Sequence, residues 1–378
     1  MRRRGRWAVV AAITAALVAM PLVLRAWPVG ASRIGARQLL ARIVASGSVG
    51  YAGYAQSQGG LTLPVAAGDF SVIDDLFGGT SRLRVWWRSP HDWRVDSVGL
   101  TGESDTHEDA AGVWTWDYES NTARRTDYTG SSGITGTPNA RPPVRLPRSD
   151  DLLPASLGRR LLSEADPGRT QRIPDARVAG YDAAGLRLHL DDARSTIDHI
   201  DVWALPSNGL PVRVVVYGDD GSQVVSTSYL DLSLGRPSAG ATAFRPAPAA
   251  KVESGEFTDI VAAIDRFGRS TPPPSVAGMA RRRDIDLGAV GVYGRGVDLL
   301  VAVPLSAHLA GEFVPQLRKT PGSVEDDNGI AIGVGPLNLQ LSHPYGFGAR
   351  WLLVGTLTAA TLAAAVAELP EARGFGFD

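Results

Sequence analysis

Apolar residues recur along this chain at two different spacings, and the helical spacing gives way to a strand spacing after residue 47. Between residues 34 and 46 apolar side chains recur every three to four positions, while Arg37 and Arg42 fall on the opposite face and Gly47 follows. This pattern predicts a helix that ends near Gly47. A second, shorter helix is predicted at residues 152–163, where the alternating pattern of the middle of the chain is interrupted.

Strict alternation of apolar and polar residues dominates the region between these helices and beyond them. The alternating runs are residues 83–88, 114–118, 186–191, 212–217 and 224–232. Gly218-Asp219-Asp220-Gly221 separates the last two runs and is typical of a tight hairpin turn. The pattern therefore predicts an antiparallel sheet of hairpins, with one face more apolar than the other.

A change in composition divides the chain into further parts. Residues 236–248 are rich in Pro, Ala and Gly, residues 256–267 have a helical apolar spacing, and Thr271-Pro272-Pro273-Pro274 is a stiff linker. The last hundred residues predict a compact α+β unit of five strands and two helices. The predicted organisation is an N-terminal segment at 1–30, a sheet domain at 31–238, a linker with a short helix at 239–283 and a C-terminal domain at 284–378.

The N-terminal segment combines positive charge with an apolar run. Five arginines lie within the first 25 residues, and residues 7–24 contain Thr14 as their single polar residue. Eighteen apolar residues reach the lower limit for spanning a bilayer, and the arginines would stay on the cytoplasmic side. We expect a signal anchor that tethers an extracytoplasmic body, with a cleaved signal peptide and a secreted body as the alternative.

Charge and cysteine content narrow the functional classes. The formal net charge of −1 is the sum of the basic N-terminus and a remainder with 33 basic and 39 acidic residues, which is −6. The absence of a basic stripe argues against nucleic-acid binding. The chain contains no cysteine, so disulfides, thiolate metal sites and a lipid-modified cysteine are excluded.

The motifs of common enzymes and metal sites are missing. Glu103, Asp105, His107, Glu108 and Asp109 form the densest acidic cluster with a histidine, but the segment is interpreted as a solvated loop rather than a Ca²⁺ or Zn²⁺ site.

The remaining polar motif, Asp198-His199-Ile200-Asp201, is interpreted as the solvated side of a strand rather than as an acid–base pair. No Gly-x-Ser-x-Gly elbow and no phosphate-binding loop is found. We therefore predict a protein that is not an enzyme and that uses no cofactor and no metal; a hydrolase is the least favoured alternative.

Aromatic residues are the most informative feature of the sheet region, because seven of the nine tryptophans precede residue 120. Tryptophan on a sheet face most often packs in a core. The alternative is an apolar concavity that accepts a ligand, because few helices are available to cover so long a sheet. The residues predicted to line such a cavity are Val85, Trp87, Trp93, Trp114, Trp116 and Tyr118.

Several short motifs resemble one family. They are Ala36-Arg37-Gln38-Leu39-Leu40 in the first helix, Val113-Trp114-Thr115-Trp116-Asp117-Tyr118 with the following Ser120-Asn121-Thr122, residues 172–180, and the run from Gly209-Leu210-Pro211 to Gly221-Ser222. After an export segment, this layout resembles the RseB/MucB-type regulators of envelope-stress sigma factors and, more remotely, the LolA/LolB lipoprotein carriers. The resemblance covers residues 35–235, with a second, smaller domain after it.

The resemblance implies an α+β fold, in which an antiparallel half-open β-barrel capped by helices is joined to a smaller C-terminal α+β domain. It further implies a cavity for a lipid or acylated ligand and contact with an anti-sigma factor. The alternative is a protein-interaction scaffold that docks a membrane partner through its C-terminal domain without binding a ligand. The use of 36 Arg against two Lys is typical of a GC-rich genome, such as that of an actinobacterium.

Overall fold

A computed structural model describes residues 29–59, 79–99, 102–128, 148–255, 271–284, 287–346 and 348–371. The apolar segment at 7–24 and the helix predicted at 256–267 lie outside these residues. Within the described ranges, none of the helices has the length and apolar character needed to cross a membrane. The signal anchor therefore stays a prediction of the sequence.

The larger of the two main sheets has twelve strands. In chain order these strands are β1 (Tyr51–Gly59), β2 (Thr80–Ser89), β3 (Asp92–Val98), β4 (Glu103–Glu108), β5 (Gly112–Asp117), β6 (Thr122–Asp127), β7 (Thr170–Val178), β8 (Tyr181–His189), β9 (Ile197–Ala204), β10 (Pro211–Gly218), β11 (Gln223–Leu234) and β12 (Lys251–Gly255). Their order in space is β12-β6-β5-β4-β3-β2-β1-β11-β10-β9-β8-β7, and the sheet is not closed into a barrel.

Two helices, α1 (Ala36–Ala45) and α2 (Pro154–Leu162), cover one face of this sheet, which we call the inner face. Leu39 and Ile43 of α1 are fully buried in one cluster with alternate residues of β8, β9 and β10, such as Val214. Gly158 of α2 lies so close to β10 that a Cβ there would be 2.9 Å from Pro211. The opposite, outer face carries the intervening side chains, because side chains alternate along each strand.

The C-terminal lobe is a second, six-stranded sheet with two helices. Its strands are β15 (Gly291–Arg295), β16 (Asp298–Leu305), β17 (Val324–Asp326), β18 (Gly329–Val334), β19 (Leu337–Leu341) and β20 (Arg350–Gly355), in the order β15-β16-β20-β19-β18-β17. The helices are α4 (Ala307–Lys319) and α5 (Ala359–Glu368), and a two-stranded ribbon, β13 (Ser275–Val276) and β14 (Met279–Ala280), precedes the lobe. Trp351 is fully buried in its main core.

The periodicity correctly predicted both helices of the sheet region, the β10–β11 hairpin, and five of the six strands and both helices of the C-terminal lobe; strand β17 was not predicted. The region predicted as a linker contains more structure than the sequence indicated. A short helix, α3 (Ala239–Thr242), and strand β12 both lie there, and β12 pairs parallel with β6. The sheet is therefore antiparallel except at this edge, where Lys251 N–H donates to the carbonyl of Asn121 at 3.0 Å.

Candidate ligand-binding site

Four aromatic side chains form a buried group on the inner face, which we call the inner aromatic cluster: Tyr51, Trp87, Trp93 and Tyr229. The register places Tyr51 opposite Trp87 and Trp87 opposite Trp93, so the three rings follow one another across β1, β2 and β3. The Tyr51 and Trp87 ring centroids are 6.2 Å apart, those of Trp87 and Trp93 are 5.8 Å apart, and both pairs are stacked. Tyr229 meets Tyr51 edge-on at 5.6 Å.

Residues 148–162, which we call the cover, pack against the inner aromatic cluster. Leu152 and Leu153 of the cover are buried in the same core. The guanidinium groups of Arg148 and Arg159 lie over the rings of Trp93 and Trp87, each at 5.2 Å from the ring centroid. The cover thus places both apolar side chains and positive charge against the aromatic rings.

Buried polar groups surround this cluster. Arg148 donates to the Glu108 carboxylate at 2.8 Å and to Asp150 at 3.0 Å, and the Glu108 side chain is fully buried. Burial alone would lower the pKa of Arg148, but Asp150 and Glu108 more than offset it and the net shift is upward. Burial also raises the pKa of Tyr51 to about 12, so its hydroxyl stays protonated. The site therefore holds a charged guanidinium beside apolar rings.

The six residues predicted to line one cavity lie on both faces of the sheet. Val85, Trp87 and Trp93 are on the inner face and are buried in its core. Trp114, Trp116 and Tyr118 belong to the outer face. Register proves this separation, because Trp93 is opposite Glu108 and Glu108 is opposite Val113, the neighbour of Trp114. The structure therefore brings together two groups of three rather than one set of six.

The outer group packs against the chain that connects β11 to β12, residues 236–250, which we call the strap. Phe244 of the strap contacts the rings of His107, Trp114 and Trp116 at centroid distances of 4.8, 5.3 and 6.0 Å. The His107 ring bonds the carbonyl of Thr242 through Nδ1 at 2.9 Å, and burial lowers the pKa of this histidine. Tyr118 remains half exposed, at 50%.

The acidic segment around His107 is a buried strand, so its interpretation as a solvated loop was wrong. It forms β4 in the interior of the sheet, where Asp105 is 2% exposed. The carboxylate oxygens of Asp96, Glu103 and Asp105 lie within 4.8 Å of one another. Arg94 donates to Asp96 at 2.5 and 2.9 Å and to Asp105 at 2.8 Å, so a guanidinium supplies the positive charge here.

The segment Asp198-His199-Ile200-Asp201 also differs from its predicted solvated face. The His199 ring stacks on Tyr217 at 4.3 Å, and its side chain is only 13% exposed. Asp201 accepts two hydrogen bonds from Arg187, at 2.6 and 2.7 Å. These contacts are explained by packing between neighbouring strands.

Sequence reasoning missed four residues of the site: Tyr51, Tyr229, Arg148 and Arg159. Tyr51 begins a strand whose sequence, Tyr51-Ala52-Gly53-Tyr54-Ala55, has no clear apolar alternation. Arg159 lies in α2, where its neighbour Arg160 is exposed, and Arg148 precedes that helix by six residues. Only their distances to the tryptophan rings identify them.

Among known proteins, this chain is similar to solved structures, but no protein-family model and no protein of curated function matches its sequence. A structure of the Pseudomonas aeruginosa MucA/MucB complex matches 90% of this chain and 99% of that chain, with 14% identity and a TM-score of 0.47. The structure of an uncharacterized conserved protein from Thermus thermophilus matches 58% of this chain and 99% of that chain, with 12% identity and a TM-score of 0.35.

A LolA superfamily protein from Nitrosomonas europaea matches 56% of this chain and 98% of that chain, with 12% identity and a TM-score of 0.24. MucB and the LolA superfamily are the groups that the sequence motifs resemble.

Proposed function

We propose that this protein is an extracytoplasmic, membrane-tethered binding protein that senses or carries a lipid or acylated ligand and acts in an envelope-stress sigma/anti-sigma pathway. It is proposed to do so without catalysing a reaction. The observation that carries this proposal is the inner aromatic cluster beneath the cover, where apolar rings and a buried guanidinium lie side by side. An amphiphile needs both kinds of contact.

The energetics favour an acyl chain as the apolar part. Each CH₂ group transferred from water gains about 0.8 kcal/mol, so a chain of ordinary length offsets displacement of a few apolar side chains. Leu152 and Leu153 are buried in the same core as the aromatic rings, and they belong to the cover, which contains one 3-10 turn and the short helix α2. We propose that the ligand chain replaces these leucines and that its polar end remains near Arg148.

Quenching by brominated acyl chains tests this function on the full-length protein in detergent. A brominated stearate is expected to quench tryptophan emission in the wild type, because bromine quenches rings that it contacts. The double variant Trp87→Phe/Trp93→Phe should lose at least half of this quenching, whereas Trp351→Phe in the other lobe should not. The proposal would be rejected if the wild type showed no saturable quenching and mass spectrometry of the purified protein found no lipid.

A second function is a protein-interaction scaffold that docks a membrane-anchored partner, such as an anti-sigma factor, through the C-terminal lobe. The observation that favours it is strand β17, which is the edge of the six-stranded sheet and carries Val324 with 59% exposure. An exposed edge strand can pair with a strand from another chain. Glu325 of this strand is already paired with Arg318 at 2.7 Å, and Val324 is its apolar residue, so an added charge at Val324 is expected to oppose strand pairing.

Crosslinking in membranes separates this function from the first one. The variant Val324→Lys is expected to reduce recovery of the crosslinked partner several-fold, because it places a charge on the edge. Val252→Lys is the matched control, since Val252 is 56% exposed on the other sheet. Equal recovery with both variants would rule out docking through β17.

A further inference from the structure

A pocket of about 350 Å³ opens on the outer face, where it is lined mainly by polar side chains of that face. Its floor is formed by β1, β10 and β11, and the turn of the β7–β8 hairpin lines one side. We call it the outer-face pocket. Its polar lining residues are Gln56, Gln58, Arg177, Arg213, Ser226 and Ser228, and Tyr229 of the inner aromatic cluster also borders it.

Strand register explains why polar side chains meet in this pocket. Gln56 is opposite Ser228, Ser228 is opposite Arg213, and Gln58 is opposite Ser226. Residues directly opposite each other in an antiparallel pair point to the same face. The residues between them, such as Thr227, are buried towards α2, where the Thr227 hydroxyl donates to the Leu152 carbonyl at 2.7 Å.

The outer-face pocket has an excess of positive charge. Arg213 lies over the ring of Trp203 at 4.8 Å, and no carboxylate of the described residues forms an ion pair with it. Arg177 is paired with Asp182 at 2.7 Å, but Asp182 is not part of the lining. No described acidic residue lines the pocket. A guanidinium that is stacked on an aromatic ring keeps its donors available for an anion.

Hydrogen-bond donors without a partner complete the pocket. The side chains of Gln56, Gln58 and Ser226 form no hydrogen bond with any part of the chain that the structure describes. The Ser228 hydroxyl, in contrast, donates to the carbonyl of Tyr229 at 3.3 Å. The free donors come from the strands of the floor, and Arg177 approaches from the hairpin turn.

From this arrangement we propose that the outer-face pocket binds a tetrahedral oxyanion of the phosphate class. The oxygens of a phosphate group point to the corners of a tetrahedron and not into one plane, which suits donors from the floor and from the hairpin turn. A carboxylate presents two oxygens in one plane and would leave part of these donors unused. Arginine beside neutral donors is a common way to bind phosphate.

Two sources could supply the phosphate: the free ion and the headgroup of an anionic lipid. Leu230, with 54% exposure, borders the pocket and would contact the glycerol or acyl part of a lipid. Tyr229 is shared between this pocket and the inner aromatic cluster, but Trp87, Trp93 and Arg148, on which the proposed acyl binding depends, do not line the pocket, so the two proposals are tested separately. Either one can fail while the other stands.

Titration calorimetry on the full-length protein in a non-ionic detergent tests the proposal. The probes are inorganic phosphate, dihexanoyl phosphatidylglycerol and, as a lipid without net charge, dihexanoyl phosphatidylcholine. Binding of phosphate or of the phosphatidylglycerol is expected, and it should weaken at least ten-fold in Arg213→Gln and in Arg177→Gln. Arg124→Gln is the matched control, because Arg124 is exposed on the same sheet and outside the pocket.

The pattern of binding identifies the source. Binding of both anions, with phosphate displacing the phosphatidylglycerol, supports a headgroup site; binding of phosphate alone supports a site for the free ion. Ser226→Ala should weaken either one several-fold and is too small a change to disturb the sheet. No binding of either anion at millimolar concentration, or equal affinity in wild type, Arg213→Gln and Arg177→Gln, would overturn the proposal.

Discussion

Asp96 and Asp105 are directly opposite each other on neighbouring strands, and both carboxylates share the guanidinium of Arg94. Two negative charges therefore meet one positive charge in a place where Asp105 is almost completely buried. Burial, followed by the charge of Asp96, raises the pKa of Asp105 to about 7. A proton on Asp105 removes the excess negative charge. The stability of the folded protein therefore depends on whether Asp105 is protonated, and so on pH.

The sign of this dependence follows from the two pKa values of Asp105, 3.8 for the unperturbed carboxyl and about 7 in the folded protein. Between pH 3.8 and about pH 7 the folded protein binds the Asp105 proton more tightly than the unfolded chain does. The stability that this proton contributes is therefore present at low pH and is lost as the pH rises through 7. Asp105→Asn keeps an acceptor for Arg94 without the charge. We expect it to raise the free energy of unfolding at pH 8 by about 1–3 kcal/mol, since one pKa unit corresponds to about 1.4 kcal/mol.

Urea unfolding at pH 5, 6, 7 and 8 measures this effect. The difference between Asp105→Asn and the wild type should shrink as the pH falls from 8 to 5, because the wild-type carboxyl then acquires its own proton. Asp127→Asn on β6 is the control, since its side chain is 50% exposed, and it should change stability little at any of these pH values. A difference that is the same at pH 5 and pH 8 would contradict the assignment.

At the scale of elements, the strap holds the last strand of the large sheet in place. Phe244 fills a space between His107, Trp114 and Trp116, and β12 follows eight residues after the short helix α3 ends. The side chain of Asn121 donates to the carbonyl of Ala249, at the end of the strap, at 2.9 Å. The parallel β6–β12 pair thus depends on contacts made by the strap before the strand begins.

Removing the ring of Phe244 should loosen this edge. We expect Phe244→Ala to lower the free energy of unfolding by about 1–3 kcal/mol. This is less than the loss for a fully buried phenylalanine, because Phe244 is only partly buried. Amide hydrogen exchange should become faster in β12 and β6, while the β1–β2 pair keeps its protection. Phe313→Ala in α4 is a matched control from the other lobe, and it should leave β12 unchanged. Unaltered exchange of β12 in Phe244→Ala would show that the strap does not hold the strand.

Helices and hairpins of this protein were predictable because their signals are local. The spacing of Leu39, Leu40 and Ile43 is enough to define the buried side of α1, and the Gly-rich turn at 218–221 defines the β10–β11 hairpin. Strand β12 gives no such signal. Its sequence, Lys251-Val252-Glu253-Ser254-Gly255, has one apolar residue, and that residue is 56% exposed. The strand exists because β6 offers it a free edge.

For the whole molecule, a small set of polar contacts joins the two lobes. Glu164, just after α2, forms two hydrogen bonds with Arg282 at 2.7 and 3.0 Å and accepts the Gly296 N–H at 2.7 Å. Thr196 donates through its backbone to Thr356 at 3.0 Å. These partners are far apart in sequence, and the Thr358 N–H, which donates to the Arg194 carbonyl at 2.8 Å, adds a further contact between the lobes.

Loss of the Glu164 carboxylate should weaken this junction without unfolding either lobe. We expect Glu164→Ala to increase the radius of gyration measured by small-angle X-ray scattering and to separate the thermal unfolding of the two lobes. Glu312→Ala is the control, because Glu312 is 62% exposed in the C-terminal lobe, where its ion-pair partner is His308 of the same helix. A scattering curve of Glu164→Ala that is the same as for the wild type would show that other contacts suffice.

The sequence by itself determined the class and order of the elements with a clear apolar periodicity, such as α1 and the β10–β11 hairpin, because periodicity depends on spacing within a few residues. The sequence also predicted that the tryptophans of the first strands pack in a core or line a ligand cavity. Only the tertiary structure decided which tryptophans share a face. Trp93 and Trp114 differ in this respect because register depends on pairing between strands, and a shift of one residue exchanges the two faces. Arg148, Arg159 and Arg213 acquired their places beside rings in the same way, through contacts that no local pattern encodes.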